Sequence, residues 1–321
     1  MPLARSFLVS SLVSVLSAGG ALAQQSGEST PAAGGASAPL GAVGMAQTDA
    51  SAAHEGGQPS DLTLLNFFTD GWGDAWVHRH RHTPDMALLR VTTNFLEQEF
   101  RLDYVYTAVN NNPKVHDTQL ANGLIAYAVD RRLMLEVITN YQWNQPPSGA
   151  PVNGAGGGAV VRLQLVDTAT ASYAFNYRVS FPNKGIGQTT TTMGYTLAGW
   201  QDLGAVLPVL GRFGLYYSFT YNNQLGTPKK GATLNDFSYA LSIAETWTPA
   251  SMPVLGNFTT FLEFAGTTPL DGANTNTTLS LTPGIRFWFL PKNSLMFGID
   301  FPIVSNPPYS IAYRLTYILN F

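Results

Sequence analysis

Residues 172–181 read Ser-Tyr-Ala-Phe-Asn-Tyr-Arg-Val-Ser-Phe. Every second side chain is large and apolar: Tyr173, Phe175, Tyr177, Val179 and Phe181. Between them fall Ser172, Ala174, Asn176, Arg178 and Ser180. Successive side chains of an extended chain point to opposite faces, so the segment reads as a strand with one aromatic face and one small or polar face.

The same two-faced pattern runs outward from this segment, from about residue 97 to the end. Phe100, Leu102, Tyr104 and Tyr106 oppose Glu99, Arg101, Asp103 and Thr107. It recurs at 133–143, 160–167, 213–221, 237–243, 258–264, 279–289 and 295–301, and the last strand carries Ile311, Tyr313, Leu315, Tyr317, Leu319 and Phe321 on one face. Residues 119–130 and 189–203 are less regular but have strand composition. A soluble β-sandwich also alternates. Two features decide against it: the aromatic faces, and connections that switch between short and long. Asp130-Arg131-Arg132, Asp167 to Thr170 and Pro291-Lys292-Asn293 are tight, whereas 145–158, 222–235 and 267–276 are long and rich in Gly, Pro or Asn. Short turns at one end and long loops at the other mark an all-β, transmembrane antiparallel barrel of the outer-membrane kind, with its short turns in the periplasm. The connections at 204–211 and 249–257 are longer than this pattern wants.

Counting gives twelve strands, at 97–109, 119–130, 132–144, 159–168, 171–182, 189–202, 211–223, 236–248, 257–267, 277–290, 294–303 and 310–321. An even number agrees with single-chain bacterial barrels. Residues 86–95 would make thirteen, and their apolar phase slips against the next strand, so they are not expected to cross. Fourteen strands is the alternative, if 61–95 holds two.

Composition fits a chain that faces lipid. Of 321 residues, 12% are charged and 45% hydrophobic, with a net charge of -3; soluble domains carry about 25% charge. No basic block offers itself to nucleic-acid phosphates. The chain has no Cys, which excludes disulfides, thiolate metal sites, a thiol nucleophile and a lipoprotein anchor.

Four regions are expected. Residues 1–23 read as a secretory signal peptide of the Sec type: Arg5, an apolar core from Phe7 to Leu16, then Ala21-Leu22-Ala23 before Gln24. Residues 24–60 are a Gly/Ala/Ser/Pro-rich periplasmic tail. Residues 61–96 are a plug or an interfacial segment, with a short amphipathic helix from Asp61 to Thr69 and Trp72 and Trp76 at the membrane boundary. Residues 97–321 are the barrel. The run His78-Arg79-His80-Arg81-His82 invites a metal reading, but its arginines repel cations and three imidazoles on one strand match a tetrahedral ion poorly. A basic contact with lipid or lipopolysaccharide phosphates suits it better. No metal or other cofactor is expected.

The C-terminus adds a resemblance. Phe321, preceded at alternate positions by Leu319, Tyr317, Leu315 and Tyr313, resembles the assembly signal of bacterial outer-membrane β-barrel proteins. That resemblance implies a place in the outer membrane, among lipid and lipopolysaccharide, and insertion by the barrel-assembly machinery. In general form the chain is also similar to the small-solute transporters of the meta-pathway phenol-degradation type.

With the aromatic faces toward lipid, the interior would be lined by Glu99, Arg101, Asp103, Glu136, Arg162, Arg178, Glu263, Arg286, Asp300 and Arg314, five acids and five bases. These either form a wedge of salt bridges or screen solutes by size and charge. Twelve strands enclose a narrow channel at most. No hydrolase elbow, P-loop or dinucleotide motif is present. None of His54, His78, His80, His82 and His116 falls on an expected strand, so an enzyme is not expected. The sequence points to a channel or transporter for a small solute; the alternative is a non-conducting structural or adhesive barrel whose loops bind a partner.

Overall fold

The computed structural model describes residues 59–78, 86–108, 117–145, 152–186, 188, 190–226, 233–272, 276–304 and 309–321. Twelve strands close into one antiparallel barrel. They are β1 (Glu99–Ala108), β2 (Asp117–Ala128), β3 (Leu133–Gln145), β4 (Val152–Asp167), β5 (Ala171–Phe181) and β6 (Thr191–Asp202), followed by β7 (Phe213–Leu225), β8 (Asn235–Thr246), β9 (Gly256–Pro269), β10 (Thr278–Leu290), β11 (Asn293–Pro302) and β12 (Ile311–Asn320). Each pairs with its neighbour in the chain, and β1 pairs with β12 from Glu99↔Asn320 to Ala108↔Ile311. Closure leaves no unpaired edge, which is what lets a sheet stand in hydrocarbon. Strands of 10 to 16 residues meet the 9–11 or so that a tilted crossing needs. No helix among the described residues is long and apolar enough to cross. Calls for residues 1–58, including the signal peptide, the tail and His54, lie outside the described residues, as do His80, His82 and His116.

Register sorts the side chains by face. Outward positions include Ile125, Val137, Leu197, Leu241, Leu262 and Phe297, all exposed on the barrel wall. A ladder of rings crosses the wall from β5 to β9. Tyr177 meets Tyr195 at 5.3 Å and Tyr195 meets Tyr221 at 6.3 Å; Phe219, Phe237, Tyr239 and Phe264 continue it at 6.2–6.4 Å. Such girdles occupy the membrane–water boundary. The two long connections at the short-turn end carry Val206, Leu207 and Val209, and Met252, Val254 and Leu255, all exposed. Apolar tips at that boundary explain why these turns exceed the usual length.

Two expectations are corrected. The fourth strand begins at Val152, not 159. Gly154, Gly156, Gly157 and Gly158 carry no side chains to alternate and so read as loop, yet each pairs with β3 in regular register. The stretch from Asp61 to Thr69 forms turns rather than a helix. Its Asn66 side chain competes with the helical ladder, accepting from the Thr63 N–H at 2.7 Å and donating to the Asp61 carbonyl at 3.0 Å. No thirteenth or fourteenth strand appears among the described residues of 61–98; Leu62 makes only an isolated bridge to Asp167.

Candidate functional site: the two halves of the barrel interior

All ten charged residues singled out from sequence fall on the inward face, in phase with buried neighbours. In β5, for example, Arg178 shares a face with buried Ser172, Ala174 and Asn176. What surrounds them differs between the two ends of the barrel.

The half toward the short turns is filled by the chain's own residues 86–97. Met86, Leu88, Val91 and Phe95 pack in one buried cluster with Trp200, Tyr216, Phe261 and Ala265. The Phe95 ring meets Trp200 edge-on at 5.8 Å. Passage this close to the wall requires missing side chains: a Cβ on Gly298 would lie 2.4 Å from Leu89 Cδ1.

Polar contacts fix the segment at points around the wall. The Glu263 carboxylate, fully buried, accepts the backbone N–H groups of Leu89, Arg90 and Val91 at 3.2, 3.0 and 3.1 Å. Such a convergence of amides suits an anion. Arg90 donates to Asp300 at 2.7 Å, and Arg314 donates to the same carboxylate oxygen at 2.7 Å. Thr282 donates to the other oxygen at 2.6 Å. Arg162 donates to Glu136 and to the Phe95 carbonyl, both at 2.5 Å, and to Asn176 Oδ1 at 2.6 Å. Arg101 bonds Asp103 at 2.8 Å and the Leu88 carbonyl at 3.1 Å. Arg286 is buried with Glu97 and Glu99 as its acidic neighbours. Most of the ten charges therefore hold this layer together, and Arg90, which the sequence reading passed over, joins them.

A second clamp closes the same end. Arg132, in the β2–β3 turn and fully buried, donates to the carbonyls of Asp70, Gln164 and Leu165 at 2.8, 3.0 and 3.0 Å, and to Asn66 Oδ1 at 2.9 Å. Burial there pushes its guanidinium below the ordinary arginine value. The turns it holds leave Leu64, Leu65 and Phe68 exposed, with Trp72 alongside.

The half toward the long loops is different. Its inward positions are mostly neutral hydroxyl and amide side chains, among them Thr107, Asn122, Asn140, Gln142, Thr220 and Ser238, none fully buried. Arg178, although on the inner face, is exposed. Water therefore reaches it inside the barrel. Among the described residues Arg178 enters no ion pair. Residues 182–186 fold inward and narrow the mouth. Asn183 is buried against β4, where a Cβ on Gly154 would come 1.9 Å from Asn183 Oδ1 and 2.9 Å from the Ile186 nitrogen. The sequence reading missed this contact; the run of glycines was its only trace.

At the C-terminus, Tyr313, Leu315, Tyr317 and Leu319 lie on the outward face of β12, and the Phe321 N–H bonds the Gln98 carbonyl at 3.0 Å. The seam between the first and last strands thus runs to the last residue.

An apolar jacket, a closed twelve-strand wall and a polar interior define the outer-membrane β-barrel fold. No protein-family model matches the chain, and no curated protein matches its sequence. Among solved structures it is similar to an outer-membrane channel from Pseudomonas putida F1, with TM-score 0.53 and 12% identity over 74% of this chain and 98% of that one. The KdgM porin gives TM-score 0.46 and 10% identity over 69% of this chain and 99% of that one. The NanC porin gives 0.47 and 8% over 70% and 98%. At these identities the likeness concerns the fold.

Proposed function

We propose that the protein is a non-enzymatic outer-membrane channel for small hydrophilic solutes, exported on its signal peptide and inserted with its short turns in the periplasm. The observation that carries this reading is the polar, partly water-exposed inward face of the long-loop half inside an apolar-jacketed barrel. Solute would enter at the long-loop end past residues 182–186 and stop at residues 86–97. Those residues close the passage in the state described, and opening requires that they shift or leave. The charged ring around them, with Glu136, Arg162, Glu263, Asp300 and Arg314, would then line a polar constriction. The outer-membrane channel of similar fold accords with this reading.

The filled short-turn half also favours a second reading, a barrel that conducts nothing and serves as a platform for its loops. Planar-bilayer recording and liposome swelling separate the two. The channel reading expects low or intermittent conductance for the mature chain and a large, steady conductance after deletion of residues 24–96. Silence of both forms, with the barrel folded, would reject the channel and leave the platform.

A further inference from the structure

The rim at the short-turn end carries exposed apolar side chains in most of its sectors. The β6–β7 connection presents Leu207 and Val209, the β8–β9 connection Val254 and Leu255, the end of β10 Leu290, and the chain end beside β1 Phe321. One sector has no such tips of its own. Between β2 and β5 the wall turns through Asp130-Arg131-Arg132 and Thr168-Ala169-Thr170, which hold nothing apolar larger than an alanine. Residues 60–74 occupy that sector. Leu62 pairs with Asp167 through backbone hydrogen bonds of 3.0 and 2.8 Å. It does so on the edge of β4 that β3 leaves free, because β3 begins only at Leu133, opposite Leu163. The segment thus prolongs the wall at its lower edge.

The turns that follow are held firmly. Arg131 donates to the Ser60 carbonyl at 2.5 Å, Arg132 to the Asp70 carbonyl at 2.8 Å, and the Gly73 N–H to Asp130 at 3.2 Å. The Phe67 ring meets Phe68 and Trp72 edge-on at 5.1 and 5.6 Å, with the Arg132 guanidinium 5.1 Å from its centre. Trp72 Nε1 donates to the Phe67 carbonyl at 2.6 Å, so its one polar atom is satisfied within the turn. What this fixed turn leaves outside is Leu64, Leu65 and Phe68, 66, 99 and 89% exposed, with Trp72 beside them. Clustered exposed apolar side chains of this kind mark a contact surface.

We propose that Leu64, Leu65, Phe68 and Trp72 form a foot that inserts into the headgroup–acyl boundary of the phospholipid leaflet at the short-turn end, completing the apolar rim where the wall's own turns leave a gap. Two observations choose lipid as the occupant. The patch is continuous with the lipid-facing wall, since its segment is bonded to Asp130, and the adjoining Val129 is exposed in phase with Ile125 and Tyr127 on the outward face of β2. Its surroundings also offer no attraction to an anionic partner. Arg131 and Arg132 are turned to the segment's own carbonyls and to Asp74, and the exposed charges beside the patch, Asp61 and Asp74, are acidic. Apolar and aromatic side chains that seat in the boundary by burial alone need no anionic lipid. The inference needs the barrel's lipid jacket but not the channel reading.

The chain has no Cys, so single cysteines carry a nitroxide label without background. Leu65→Cys and Phe68→Cys are compared with Val137→Cys on the lipid-facing wall and Asp74→Cys at an exposed charged position, in mature protein reconstituted into vesicles of uncharged phosphatidylcholine and phosphatidylethanolamine. Folding is checked by heat-modifiable electrophoretic migration. Power saturation reads the collision of each label with oxygen, which concentrates among acyl chains, and with a neutral nickel chelate, which stays in water. The oxygen-to-nickel ratio at positions 65 and 68 should approach that at 137 and exceed that at 74 severalfold. Three results overturn the foot: ratios at 65 and 68 no higher than at 74, shielding of both labels from both reagents, as cover by another protein would produce, or label–label broadening that vanishes on dilution with unlabelled protein, which would make the patch a contact between two copies. Bilayer recordings on the same samples keep the two ideas apart. A silent barrel whose foot inserts sinks the channel and spares the foot, whereas a conducting barrel whose foot stays in water does the reverse.

Discussion

Replacing Glu263 by Ala should loosen residues 86–97 inside an otherwise intact barrel. The carboxylate takes three backbone N–H groups, from Leu89, Arg90 and Val91, at 3.0–3.2 Å. Hydrogen bonds to a charged group contribute roughly 1.5–3 kcal/mol each, but members of one network are not additive. The carboxylate also carries a desolvation cost that Ala removes. A net loss of about 3 kcal/mol follows, below the roughly 4.5–9 kcal/mol that three independent bonds of this kind would sum to. At 1.4 kcal/mol per factor of ten, the opened population rises about 100-fold. Because the chain has no Cys, a single reporter can be placed without background. Val91→Cys is suited to this, since Val91 is 6% exposed. The assay is the rate of reaction of Val91→Cys with a bulky charged maleimide, with and without Glu263→Ala, in folded protein. Labelling should speed up by one to two orders of magnitude and bilayer conductance should rise with it. Equal labelling rates would refute the idea that this carboxylate holds the segment in place.

Other perturbations read other parts of the interior. Arg162→Ala leaves Glu136 buried and unpaired and frees the Phe95 carbonyl, so barrel stability should fall by about 3–5 kcal/mol, seen as a lower temperature of loss of the folded electrophoretic form. Gly154→Val would drive a side chain into Asn183 and the Ile186 backbone. Overpacking of this kind costs about 1–3 kcal/mol; the expected outcome is that 182–186 leaves the mouth and becomes cleavable by added protease, while β4 stays intact. Asp271, in the loop after β9, is held below the ordinary aspartate value by the backbone N–H groups of Asn235 and Leu234. Its folded value being the lower one, its stabilisation is fully present above about 3.8, the ordinary value, and is lost as pH falls through the folded value. Amide exchange at Leu234 and Asn235 should therefore accelerate only in that acidic window, and Asp271→Asn should remove the pH dependence.

Much of the barrel is legible without coordinates, for a local reason. Side-chain alternation depends only on neighbouring residues in one strand, so eleven of the twelve strands fall within a few residues of their expected bounds. The exception is instructive. At 154–158 there is little to alternate, and the reason for Gly154 lies about thirty positions away, in Asn183 and Ile186. Likewise Asn66 turns residues 61–69 away from a helix through contacts that a hydrophobic pattern does not register.

The sequence by itself determined the barrel class, favoured twelve strands over fourteen and assigned a face to most strand side chains, because a period of two is written into consecutive residues. Only the tertiary structure decided how that interior is used. Leu89 meets Glu263 across 174 positions of chain and Arg90 meets Asp300 across 210, contacts that exist only once the wall has closed and residues 86–97 lie within it. Closure also separates two kinds of arginine that look alike in sequence. Arg162 is enclosed by Glu136, Asn176 and the Phe95 carbonyl; Arg178, one pleat higher, faces water. The difference is not in either residue or its neighbours along the strand, but in where the chain's own N-terminal segment stops filling the barrel.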